Sequence, residues 1–228
     1  MEIPNNFAYM FLNIGFGILW VVFFIAYPQT RKFQFMVSIL AAPLGPVIEC
    51  LYFRDYWYPM SLWEMHWGFL RILPEDLFFA FFFTGTTSML AHMTGKKVGV
   101  LQLKSPVNLI GIGLASILVA IPIIMMGVNS IFATSISFLF IAGLIILIKR
   151  ESWKYAMYSG MATTLMLFLI YIVSYYLVAN IEEILKSTWF LYGHPMLGKR
   201  ITNIPITEIV WGFSWGAMTG AVRNYLFG

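Results

Sequence analysis

The chain has 228 residues, 60% of them hydrophobic and only 11% charged, well under the roughly 25% charged residues of a soluble domain. Its net charge of +4 is modest and fits basic anchoring on one side of a membrane better than a nucleic-acid footprint. The single cysteine, Cys50, rules out an internal disulfide, and three scattered histidines (His66, His92, His194) offer no metal-ligand spacing.

The opening MEIPNNFAYM has no basic n-region and no small-residue cleavage site after it, so the first apolar run is expected to be retained. A helix needs about 20 mostly apolar residues to cross a bilayer. Runs of that kind cover 7–27, 33–53, 74–93, 106–127, 130–148, 154–179 and 205–226. Turn and charge signals separate them: PQTRK, FRDYWYP with WEMHWG, TGKK with KSP, GVNS, IKRESWK, and the long EEILKSTWFLYGHPMLGKR stretch. Within the second run, Pro43 and Pro46 are expected to kink the helix just before Glu49, either opening a cavity or relieving packing.

Lysine and arginine placement predicts an outside N-terminus. Nine basic residues then fall in inner segments, including Arg31, Lys32, Lys149 and Arg150, against five in outer ones. This orientation gathers most of the acids on the outer side. Glu49 closes the second run, Glu75 and Asp76 open the third, Glu182 and Glu183 follow the sixth, and Glu208 opens the seventh. Acids contribute little to insertion topology, so that rule does not account for their placement.

A shift of 132 residues lays Trp57 on Trp189, Ile72 on Ile204, Asp76 on Glu208 and Phe79 on Trp211. Glu75 then falls on Thr207. The expected fold is all-α and polytopic: about seven transmembrane helices in two parallel three-helix units, 1–95 and 130–228, joined by a connector helix in 96–129. Parallel repeats often place a site at their interface.

Each of Glu75, Asp76 and Glu208 stands in the first turn of a helix, where an acid also serves simply as a partner of the helix dipole. All three run into aromatic sequence (LFFAFFF, WGFSW). A carboxyl in apolar surroundings favours its neutral form, and a neutral carboxyl can act as a general acid. The tryptophans near the outer boundary read either as an interfacial belt or as pocket walls whose ring faces attract a cation. Asn180 either ends its helix or hydrogen-bonds a catalytic carboxyl. Arg200 contacts lipid phosphate or pairs with an acid.

The first-half motifs FLNIGFGILWVVFFIAYPQTRKF, GPVIEC, YWYP and LPEDLFF resemble the first unit of the lycopene cyclase domain family. LVAN, WFLY and RITNIPITEIVWGF resemble its second unit, so the likeness covers nearly the whole chain. Three departures stand out. Glu49 takes the place of the family's usual Asp, Pro74 directly precedes Glu75, and Thr207 stands where the second unit normally has its first acid. The resemblance implies two lycopene-cyclase-like units and an isomerase (an intramolecular lyase) of carotenoid biosynthesis that closes a ring on lycopene by protonation. Glu75 and Asp76 would be the acid/base pair, Glu208 a second acid/base and Glu49 a supporting carboxyl. Asn180, Trp57, Phe78, Phe79, Trp189, Trp211 and Arg200 would contact the substrate.

No cofactor is expected, since the chain has no dinucleotide fingerprint, P-loop or metal motif. The expected partners are membrane lipid and a hydrophobic polyene or prenyl substrate entering from the bilayer, with no nucleic acid. The alternatives are a small transmembrane terpene cyclase acting on prenyl or epoxy-prenyl compounds, and a non-catalytic lipid or carotenoid binder. A retinal photoreceptor needs a mid-membrane lysine, and 205–226 has none.

Overall fold

Long apolar segments satisfy their backbone polar groups internally by becoming helices, and the computed structural model is mostly helical. It describes residues 7–68, 70–93, 106–177, 181–191 and 195–227. The long helices are α1 (Ala8–Ala26), α4 (Pro74–Met93), α5 (Pro106–Met125), α6 (Ser130–Ile148), α7 (Ser152–Leu177) and α9 (Ile206–Phe227). The second apolar run is α2 (Arg31–Ala41) and α3 (Gly45–Tyr52), joined by a 3-10 turn over Ala42–Leu44 that contains Pro43. The two prolines therefore interrupt the helix before Glu49 as expected. Among the described residues, five segments are long and apolar enough to cross a membrane by length and composition: Ala8–Ala26, Pro28–Tyr52, Asn108–Met125, Ser130–Ile148 and Ser152–Tyr175.

The chain is mostly helical, as an all-α reading expects, with one local addition. Two short hairpins precede the acid-bearing helices. Strands β1 (Met65–Trp67) and β2 (Leu70–Ile72) pair ahead of α4, and β3 (Arg200–Ile201) and β4 (Ile204–Pro205) pair ahead of α9. The second turns on Thr202 and Asn203, both at positive φ, the backbone that a two-residue hairpin turn requires. A short helix, α8 (Ile181–Thr188), stands where the sequence reads as loop.

Small residues set the helix spacing. Along α9, Gly212, Gly216 and Gly220 recur every fourth residue and face α7. A Cβ on Gly216 would stand 2.6 Å from the Ser159 carbonyl oxygen. This is the small-residue packing that lets membrane helices approach closely, and α7 with α9 is the most extensive helix pair. On the other side, Gly45 at the start of α3 lies directly against the Asp76 backbone carbonyl. That contact draws the helix carrying Glu49 onto the helix carrying Asp76. Helix α5 packs chiefly on α6, and only 11% of its span is buried, against 28% or more in the other four.

Candidate active site

The loops after α3 and α8 meet at the head of the bundle. The Tyr58 amide donates to the Thr188 carbonyl at 2.7 Å, and the Phe190 amide donates to the Tyr56 carbonyl at 2.8 Å. Trp57 and Trp189 form the bridge between them, their rings edge to face at 4.6 Å. Asp55 fixes this loop to α6: its carboxylate accepts from the Ser130 amide at 3.1 Å and the Ser130 hydroxyl at 2.5 Å.

Beneath the paired loops lies a cavity of about 30 Å³ lined by Tyr9, Glu49, Tyr52, Tyr56, Trp57, Phe79, Tyr171, Glu208 and Trp211 among others. Glu208 is buried and accepts three hydrogen bonds. Tyr56 hydroxyl (2.7 Å) and Trp189 Nε1 (3.1 Å) donate to Oε1, and Tyr171 hydroxyl (3.1 Å) donates to Oε2. Three donors and no acceptor are what an ionised carboxylate binds. Tyr56 also shares a 2.7 Å bond with the Thr207 hydroxyl. Since Tyr56 donates to Glu208, the chain runs Thr207 to Tyr56 to Glu208. Burial and then the neighbouring Glu208 push the Tyr56 hydroxyl well above its ordinary pKa, so it stays a donor.

Asp76 is fully buried and accepts one hydrogen bond, from the Tyr9 hydroxyl to Oδ1 at 3.0 Å. Its Oδ2 is buried without a partner. Glu49 is also buried, its Oε2 has no hydrogen bond of ordinary geometry, and it lies within electrostatic reach of Asp76, Glu208 and the Trp57 indole. Carboxyls from three elements thus come together around Glu49, and Glu49 and Glu208 line the cavity. Among the described residues no group of His, Cys, Asp and Glu could hold a metal ion.

The aromatic walls are in place. Trp211 stacks on Phe83 at 5.3 Å and leans on Phe79 at 6.4 Å, while its Nε1 donates to the Tyr52 hydroxyl at 2.9 Å. Trp57 contacts Tyr9 edge to face at 5.1 Å. The tryptophans divide in two. Trp57, Trp189 and Trp211 are buried, whereas Trp63 and Trp67 are 66% and 76% exposed on and beside the first hairpin, as an interfacial belt requires.

Three expected site residues fall elsewhere. The Glu75 carboxylate accepts from the Ser61 hydroxyl at 2.6 Å and the Leu62 amide at 3.0 Å, so it ties down the loop ahead of β1 instead of pairing with Asp76. Adjacent helical residues diverge by about 100°, which separates the two carboxyls. Phe78 is 45% exposed on the outside of α4. Arg200 pairs with Glu182 at 2.9 Å on the surface and reaches no cavity carboxyl. Asn180 lies outside the described residues.

Sequence reasoning missed Tyr9, Tyr52, Tyr56 and Tyr171. For Tyr9, Tyr52 and Tyr171 the available signal was a hydroxyl-bearing ring inside an apolar helix, where a buried phenol needs a partner; Tyr56, in the loop after α3, gave no such signal. It also missed Arg71, which clamps the loop outside the cavity. The Arg71 guanidinium bonds Glu64 at 2.8 Å and the Pro59 carbonyl at 3.0 Å, and it lies over the Tyr58 ring at 3.9 Å. Its hydrogen bond holds the Glu64 carboxyl below its ordinary pKa.

The family model described as lycopene cyclase matches residues 129–226. That stretch carries Tyr171, Trp189, Glu208 and Trp211. No curated protein and no solved structure matches the chain.

Proposed function

From the match of residues 129–226 to the lycopene cyclase family model, we propose that the chain is a membrane-embedded carotenoid cyclase, most concretely a lycopene β-cyclase. The observation that carries this reading is that Glu49 and Glu208 line one aromatic-walled cavity, with Asp76 buried within electrostatic reach of Glu49. In the proposed mechanism the Glu49–Asp76 pair supplies the acid. Two close carboxyls resist ionising together, so one retains a proton. That proton adds to the terminal double bond of the polyene. The internal alkene attacks the resulting tertiary cation and closes a six-membered ring. Trp211, Phe79 and Trp57 face the cation with π-clouds that stabilise it without trapping it. Glu208, already held by three donors, removes a ring proton and leaves the ring double bond. One proton enters, one leaves, and the product is an isomer of the substrate. Glu75 is a positioning residue for the loop above the cavity.

In this reading α4 and α9 also cross the bilayer, giving seven spans with the cavity near the outer face. Arg31, Lys32, Lys149, Arg150 and Arg223 then lie toward the inner face, as the positive-inside rule asks. The two units are 1–95 and 130–228, with α5 as connector. The loop hydrogen bonds support this division: a shift of 132 carries Tyr58 to Phe190 and Tyr56 to Thr188, which exchanges the two bonds for one another.

The test is product analysis in a lycopene-producing bacterium expressing the chain, Asp76→Asn or Glu49→Gln, with pigments resolved by chromatography. A cyclic carotene from the parent chain and its loss in Asp76→Asn are expected. Unchanged lycopene alongside well-inserted parent protein would refute the proposal.

A further inference from the structure

Two larger apolar hollows lie between α2/α3, α4, α5 and α9, of about 90 Å³ and 130 Å³. They share Ala41, Leu44, Thr84, Gly113, Trp215 and Met218, so they join end to end. The first also shares Glu49, Tyr52, Phe79 and Trp211 with the carboxyl cavity. Along α9 the lining runs from Trp211 to Arg223, about 18 Å at 1.5 Å per residue. That is more than half of a hydrocarbon core of about 30 Å. We infer that these hollows are one channel that holds an extended hydrocarbon chain lengthwise, with its reacting end against Glu49. The inference rests on the cyclase reading and adds to it the seat of the substrate and the wall that admits it.

The polar atoms of the channel argue for a ligand without polar groups along its length. Ser116 donates to the Ile112 carbonyl, Thr134 to the Ser130 carbonyl, Ser88 to the Gly85 carbonyl and Thr219 to the Trp215 carbonyl. These four hydroxyls are thus engaged by their own helices, and the walls they share offer a ligand mostly apolar contact. The charged groups stand at the ends: Glu49 lines the end that meets the carboxyl cavity, and Arg223 stands at the far mouth. A linear polyene meets both conditions: its shaft needs no hydrogen bonds, and its terminal alkene is what a carboxyl at the cavity end would protonate.

One wall of the channel is thinly packed. The α7 face of α9 is filled by the contacts of Gly212, Gly216 and Gly220, whereas the α5 face is lined by Gly113. A Cβ on Gly113 would meet only Leu44 Cδ1, at 3.8 Å. Gly111, two residues earlier on α5, has nothing within 4 Å and does not line the channel. Helix α5 is also the least buried span and carries Pro122 in its interior, where a backbone hydrogen bond is lost. A chain diffusing in the bilayer therefore has a route past α5.

The test uses the full chain with Asp76→Asn, which holds substrate without converting it, purified from lycopene-accumulating bacteria. Lycopene carried per protein is read by absorbance and chromatography, and turnover is read in the Asp76 parent. Gly113→Phe is expected to lower both by about tenfold or more, while Gly111→Phe stays within about twofold. Thr84→Phe, from the opposite wall, must reproduce the loss, so that a folding defect in one variant cannot imitate it. Equal melting temperatures for Gly113→Phe and Gly111→Phe complete the control. If the Asp76 parent carries lycopene, blocked by Gly113→Phe, yet forms no ring, the channel stands and the cyclase reading falls. If rings form equally in all variants, the channel is refuted. If Gly113→Phe displaces co-purified phospholipid but not lycopene, the occupant is an acyl chain and the proposed ligand is wrong. If no variant carries lycopene, the proposed ligand is wrong as well.

Discussion

Glu208 offers the sharpest separation of chemistry from architecture. Its three buried donors are Tyr56, Trp189 and Tyr171. In Glu208→Gln the amide oxygen can keep the two bonds now made to Oε1, and the amide nitrogen can donate to a turned Tyr171 hydroxyl. Packing and hydrogen bonding survive, so stability should change by less than about 1 kcal/mol. Proton exchange does not survive, and turnover of lycopene should fall about 10²–10⁴-fold. In Glu208→Ala, Tyr56 can turn to Thr207, but Trp189 Nε1 and the Tyr171 hydroxyl are stranded in the core. At about 1–3 kcal/mol per buried unpaired donor, the loss is about 2–6 kcal/mol. Chromatographic product analysis and denaturant unfolding in detergent read the two effects independently. Parental turnover in Glu208→Gln would refute its role as the base. Parental stability in Glu208→Ala would refute the network.

Asp76→Asn and Glu75→Gln should part company although the residues are neighbours. The first should lower turnover about 10²–10⁴-fold, while the second keeps its loop contacts and stays within several-fold of the parent in the same pigment assay; an inactive Glu75→Gln would restore the adjacent-pair mechanism. Gly216→Val forces α9 off the Ser159 carbonyl and should cost about 1–3 kcal/mol in thermal unfolding. The Glu64–Arg71 clamp should weaken in acid. Its folded pKa lies below the ordinary 4.5, so its contribution is present above that value and is lost as the pH falls through the folded pKa. The effect on unfolding is about 1 kcal/mol or less because Glu64 is partly exposed, and it should vanish in Glu64→Gln. On the proposed cyclase reading one cavity closes one ring per binding event, so a time course should show a one-ring carotene before any two-ring product.

Much of the fold was legible because hydropathy is a long-range average. Each of the seven apolar runs contains the core of a helix, and the Pro43–Pro46 interruption came from local proline chemistry. The two hairpins and α8 were not legible. Their strands are two or three residues long and follow from turn geometry at Gly68, Thr202 and Asn203, which no periodicity reveals in so short a stretch. At the site, the acid-bearing helix starts were visible, but the direction of each carboxyl was not. The fate of Glu75 depends on Ser61 and Leu62, which fold back over it from a loop. The tyrosines reach the cavity from α1, α3, the loop after it and α7, and only tertiary packing brings them together.

Thr207 shows how the same limit affects a single departure from the family pattern. In the linear sequence, Thr207 reads as a carboxyl missing from the second half. In the structure the position was never one that faces the cavity. Its counterpart at a spacing of 132 is Glu75, whose carboxylate holds a loop, while Asp76 and Glu208 are the members of each pair that accept from a buried tyrosine. Thr207 is buried and keeps a hydroxyl on Tyr56, which in turn donates to Glu208. A second carboxylate there would set two like charges beside one phenol and compete for its proton. A threonine supplies a donor instead. The substitution therefore leaves each half with one carboxyl on α4 or α9 that accepts from a buried tyrosine.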